Sequence, residues 1–80
     1  MSNLSKYKEI FLDSLSIKID SFDEKIKYNE IPEWDSIGHM TLVSNLESEF
    51  SISIDVDDIL DFSSYKKGIE LLKKYKVEMS

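Results

Sequence analysis

The sequence predicts an all-α fold, a small antiparallel bundle of three main helices plus one short helix, with a long loop between helices one and two. Three observations carry this. Only two glycines and one proline interrupt eighty residues, apolar residues recur at three- and four-residue steps in separate segments, and a capping residue precedes each such segment. Residues 1–80 make a single domain, because a chain this short buries only about 60% of the surface its unfolded form exposes. At 41% hydrophobic and 11% aromatic residues the composition suffices for one core, so the chain is expected to be globular.

Helix one is expected between Ser2 and Leu15, where Leu4, Tyr7, Ile10, Phe11 and Leu15 fall on one face and Ser2 or Asn3 can cap. From Ser16 to Trp34 no period is sustained. Ile17, Ile19, Phe22, Ile26, Tyr28, Ile31 and Trp34 read as apolar anchors of a long connection, with a short strand around Ile17 to Ile19 as an alternative. Pro32 disfavours helix at Ile31, and Asp35 is a good cap for a second helix running to Phe50. Leu42, Val43, Leu46 and Phe50 form its buried stripe, whereas Ile37, Met40, Thr41, Ser44, Glu47 and Ser48 fall on other faces. Asp55 or Asp57 can cap a short third helix over Asp58 to Asp61, and Ser63 or Ser64 a last one in which Tyr65, Ile69, Leu72 and Tyr75 repeat. Trp34 is expected in the core, and Phe62 either there or at an opening between helix two and the short helix.

Charge is segregated. All ten lysines lie before Tyr28 or after Tyr65, and the stretch between holds nine of the sixteen acids within a net charge of -6. Such a segment attracts basic protein surfaces and repels nucleic acid, which argues against DNA or RNA binding. There is no cysteine, hence no disulfide framework and no thiolate metal site. No apolar run approaches the roughly 20 residues of a membrane span, so a cytoplasmic monomer is expected.

The focal residues are Asp35-Ser36-Ile37. A hydroxyl in the first turn of a helix stands on a rigid element facing solvent, and unpaired amides at a helix N-terminus favour an anion there. Ser36 therefore offers a place for a phosphodiester, although serines at helix starts more commonly act as caps.

The run Trp34-Asp35-Ser36-Ile37-Gly38-His39-Met40, followed by Leu42, Leu46, Glu47, Glu49 and Phe50, then Ile52, Ile54, the acidic stretch Asp55 to Asp61, Ile69 and Leu72, resembles the acyl carrier protein family. Ile37 replaces the leucine of the family signature. The likeness spans nearly the whole chain, and the Ile31-Pro32-Glu33-Trp34 approach is similar to discrete carriers of specialised pathways. The resemblance implies that Ser36 receives 4′-phosphopantetheine from coenzyme A through a phosphopantetheinyl transferase, and that the arm then holds an acyl or aminoacyl group as a thioester. It implies no catalytic activity in the chain itself. Asp35 would help engage the transferase, and Ile37, Met40, Glu47, Asp57 and Asp58 would meet acyl-loading ligases or synthases with basic docking surfaces. The alternative is an unmodified adaptor of the same fold that binds a protein partner through its acidic face.

His39, the sole histidine, lies three residues after Ser36. It reads as a surface residue, because no oxyanion-hole motif accompanies it and so small a domain leaves little room for a substrate cleft. Asp55-Val56-Asp57-Asp58 fails as a calcium loop, since the sixth position is Leu60 and the twelfth Lys66. No metal is called for.

Overall fold

A computed structural model describes residues 2–79. Helix α1 (Asn3–Ser14) leads into a single 3-10 turn (Ile19–Ser21); α2 (Ser36–Phe50), the short α3 (Val56–Asp61) and α4 (Tyr65–Lys74) follow. The fold is all-helical, as the sequence predicts. Among the described residues no strand forms, the only such feature being an isolated bridge between Lys27 and Ser64. The strand considered at Ile17 to Ile19 is thus overturned: the Ile17 N–H is spent on the Leu12 carbonyl at 2.9 Å, closing α1, and Ile19 opens the 3-10 turn.

Each main helix starts and stops by the same means. Ser2, Asp35 and Ser64 cap α1, α2 and α4, their side-chain oxygens accepting from the amides of Ser5, Gly38 and Lys67. At the far ends Ser16, Ser51 and Lys76 turn left-handed, at φ 54°, 53° and 67°. The next residue, Ile17, Ile52 or Val77, sends its amide back to the carbonyl of Leu12, Glu47 or Leu72. In each case the apolar side chain that follows the turn packs against the core, the usual companion of such a cap.

The core is aromatic at its centre. Phe11 lies 5.1 Å from Trp34 and 5.0 Å from Tyr65, centroid to centroid, both edge-on, which is the favoured arrangement for such rings. Tyr7, Phe11, Trp34, Leu42, Leu46 and Leu72 are fully enclosed. Trp34 is therefore core, as expected, and so is Phe62. Burial pushes the Tyr7 phenol well above its ordinary pKa, with Tyr65 adding to the shift, and its hydroxyl donates to the Tyr65 carbonyl at 2.7 Å. Helix α4 can approach this cluster because Gly68 has no side chain: a Cβ there would collide with the Tyr7 hydroxyl and reach within 2.6 Å of Phe62 Cζ.

The short helix is tied down by charge. Asp58 is buried, accepting from Lys74 Nζ at 2.9 Å and from the Tyr75 hydroxyl at 2.5 Å, while that hydroxyl accepts the Asp55 amide at 2.9 Å. The Lys74 hydrogen bond, followed by that of Tyr75, holds the Asp58 carboxyl below its ordinary pKa of 3.8. A carboxylate depressed in the fold stabilises it fully above its unfolded value and ceases to do so as pH falls through the folded one.

Two outcomes are expected. Acid titration followed by circular dichroism shows a loss of stability below about pH 3.8 that is reduced in Asp58→Asn, which is itself less stable at pH 7. Gly68→Ala unfolds at lower urea despite the roughly 1 kcal/mol by which alanine favours a helix, because overpacking costs typically about 1–3 kcal/mol; an unchanged midpoint would contradict the close approach.

Candidate functional site

The site is built at the start of α2. Asp35 Oδ1 accepts the Gly38 amide at 2.9 Å, while the Asp35 carbonyl accepts the His39 amide at 2.8 Å, so the first turn is fixed from both sides. Gly38 is needed for the approach of the preceding loop, since a Cβ would strike the Glu33 carbonyl oxygen. Ser36, the first residue of α2, is exposed on this braced turn. Its Oγ lies 3.4 Å from the Tyr28 hydroxyl. That neighbour is another hydroxyl, so either oxygen can be the donor of the pair.

Below Ser36 lies a hydrogen-bonded relay that sequence reasoning did not anticipate. Trp34 Nε1–H donates to His39 Nδ1 at 2.9 Å, which makes Nδ1 the acceptor. Nε2 therefore carries the ring proton and donates to the Ile59 carbonyl, also at 2.9 Å. The surface placement of His39 is corrected: the residue is 8% exposed, its ring in a T-shaped pair with Phe62 at 5.1 Å between centroids. Burial follows from the partners, because a buried indole N–H requires an acceptor, and the Ile59 carbonyl, which also accepts the Phe62 amide at 3.3 Å, has a second lone pair for the imidazole N–H. Neither ring nitrogen is left to take a proton from Ser36. A signal was present in the sequence, since His39, Leu42, Val43 and Leu46 stand at i, i+3, i+4 and i+7.

The relay floors a groove of about 260 Å³ between α2 and α3. Tyr28, Ser36, Met40 and Leu60 make its exposed rim; His39 and Phe62 lie beneath. Phe62 thus satisfies both readings, buried in the core and facing the opening. A shallower hollow runs from Ser36 and Ile37 along Met40, Thr41 and Ser44.

The residues expected to meet partners divide into two groups. Asp35, Ile37, Met40 and Asp57 are exposed, Ile37 at 79%. Val56 and Leu60, at 70% and 78% exposure, join them as apolar surface that the sequence reading missed, although their i, i+4 spacing on α3 puts them on one face. Glu47 is half-buried and accepts the Ile54 amide at 2.7 Å, so it shapes the turn after α2. Asp58 is turned inward to Lys74 and Tyr75, which corrects its expected exposure. Asp61 is also met by a lysine, Lys67, at 3.3 Å. The lysine-rich last helix thus folds against part of the acidic segment, whose exposed acids include Glu30, Glu33, Asp35, Glu49, Asp55 and Asp57. No helix among the described residues is long and apolar enough to cross a membrane.

Replacing His39 with leucine, of similar bulk but without nitrogens, leaves the Trp34 N–H without its acceptor and the Ile59 carbonyl with the Phe62 amide alone. The unfolding free energy from urea titration is expected to drop by about 1–3 kcal/mol or more; a neutral substitution would show that the relay contributes little.

Comparison with protein-family models, with curated proteins and with solved structures finds no match for this chain.

Proposed function

We propose that the chain is a carrier protein that holds an acyl or aminoacyl intermediate on a 4′-phosphopantetheine arm attached to Ser36 and passes it among partner enzymes. The observation that carries this is the exposed Ser36 hydroxyl on the capped, glycine-tightened first turn of α2, in register with a motif that resembles the carrier signature. The residues present fit the arm: the hydroxyl is open to an approaching enzyme, and the groove beside it offers apolar surface and a phenolic donor.

In the loading step the Ser36 Oγ bonds to the phosphorus that bears the pantetheine. The bond from that phosphorus to the nucleotide half of coenzyme A breaks, the nucleotide leaves with the electron pair, and the serine proton passes to a base of the transferase. Asp35 holds the turn so that Oγ is presented without rearrangement. When bound, the arm supplies a terminal thiol that a chain without cysteine lacks. Around the attachment point Ile37, Met40 and Leu60 supply apolar contact, with Asp35 and Asp57 steering basic partner surfaces. Those partners are a phosphopantetheinyl transferase and the ligase or synthase that loads the arm, and the setting is cytoplasmic.

Intact-protein mass spectrometry after incubation with coenzyme A and a broad-specificity transferase tests the reading. The wild type gains one phosphopantetheine and Ser36→Ala gains none, while the variant keeps its unfolding midpoint within about 0.5 kcal/mol because the side chain is exposed. No added mass on the wild type would leave the adaptor alternative; addition to Ser36→Ala would move the site elsewhere.

A further inference from the structure

All ten lysines stand outside residues 28–65, so neither the helix that bears Ser36 nor the short helix beside it carries an amine. The segregation has a chemical side. A thioester is an acyl donor, and in a chain without cysteine an uncharged lysine amine is the strongest nucleophile that could be turned against it.

Separation along the chain does not by itself keep the two apart. An arm of about thirteen bonds extends roughly 16 Å, at the reach per bond of an extended chain, whereas the whole molecule measures 29 × 28 × 19 Å. Two lysines return toward the site through the fold. Lys27 precedes Tyr28, whose hydroxyl lies 3.4 Å from Ser36 Oγ. Lys74 Nζ is bonded at 2.9 Å to Asp58, the neighbour of Ile59, which lines the same groove as Ser36.

Their situations differ. Lys27 is exposed and makes no ion pair among the described residues. Lys74 is also mostly open to solvent, yet its ammonium is given to a nearly buried carboxylate whose other oxygen accepts from Tyr75. The Asp58 hydrogen bond, followed by the Asp58 charge, raises the Lys74 pKa above its ordinary 10.5.

We infer that Lys74 is a latent acceptor for the group carried on the arm, and that Asp58 suppresses the transfer by holding the amine as a bonded ammonium. This rests on the carrier reading above. In the suppressed step the nitrogen lone pair adds to the thioester carbonyl, the carbon–sulfur bond breaks with its electrons on sulfur, and a proton passes from nitrogen to the thiolate. An amide and a free arm thiol result. An ammonium has no lone pair with which to begin. Freeing the amine requires loss of a proton and separation from Asp58, which leaves that nearly buried carboxylate with the Tyr75 hydroxyl alone.

The test uses the chain loaded from acetyl coenzyme A by a broad-specificity transferase, freed of unbound coenzyme A and held at about pH 9, between the ordinary thiol and lysine values. Peptide mass spectrometry reads the acetyl group on each lysine, with Lys27 as the internal reference for reach. In the wild type Lys27 gains the acetyl amide, and Lys74 gains no more than about a fifth as much. In Asp58→Asn the Lys74 level rises about fivefold, the upper end for a pair whose lysine remains largely solvated, while Lys73 beside it does not change. A nitrogen-15-labelled Ser36→Ala chain mixed into the sample stays unmodified, since the transfer is within one molecule. Equal levels at Lys27 and Lys74 in the wild type, no rise at Lys74 in a folded Asp58→Asn, a rise there shared by Lys73, or equal transfer to the labelled chain overturns this inference alone. A chain that accepts no arm overturns the carrier reading with it. Should Asp58→Asn lose its fold, the wild-type ratio of Lys74 to Lys27 decides.

Discussion

The site depends on one pair of hydrogen bonds through a single imidazole. Trp34 ends the long loop, His39 sits in the second turn of α2 and Ile59 lies in α3, and the ring joins all three. Without it, α3 would be held to the rest chiefly by Asp58 and Phe62, since six residues are too few for a helix to stand alone. The exposed hydroxyl of Ser36 is therefore displayed on a turn whose underside is buttressed, while the apolar rim around it is free of structural duty. A domain this small separates the two tasks by one helical turn: residues 36, 37 and 40 face out, and residue 39 faces in.

Most of the scaffold is legible in the sequence because its determinants are local. Ser2, Asp35 and Ser64 announce helix starts, and the apolar steps of α1 and α2 identify the inward faces, since both capping and periodicity act within a few residues. The prominence of Ser36 is legible for the same reason. What escapes is set by distant partners. Asp58 is indistinguishable from its acidic neighbours until Lys74 and Tyr75 are brought to it across α4. Tyr28 belongs to a stretch without period, and only the return of the loop to Ser63 and Trp34 carries it to the serine. His39 is the instructive case: its position argued for the interior and its polarity for the surface, and a tryptophan five residues earlier decided the matter.

Charge behaves similarly. The segment without lysines reads as a single acidic patch along the chain, yet α4 delivers Lys67 and Lys74 to two of its aspartates. The uncompensated negative charge is correspondingly smaller. The exposed Lys67–Asp61 pair adds little stability by itself, whereas Lys74 meets a buried carboxylate; both weaken the negative field along α3.

The buried indole has one more consequence. Trp34 is the only tryptophan in the chain, and it lies next to Asp35-Ser36, bonded to His39 and edge-on to the Tyr28 ring. Its ultraviolet emission is quenched or shifted by whatever alters those two neighbours, so the molecule contains a built-in optical gauge of its own working end, readable without any attached dye.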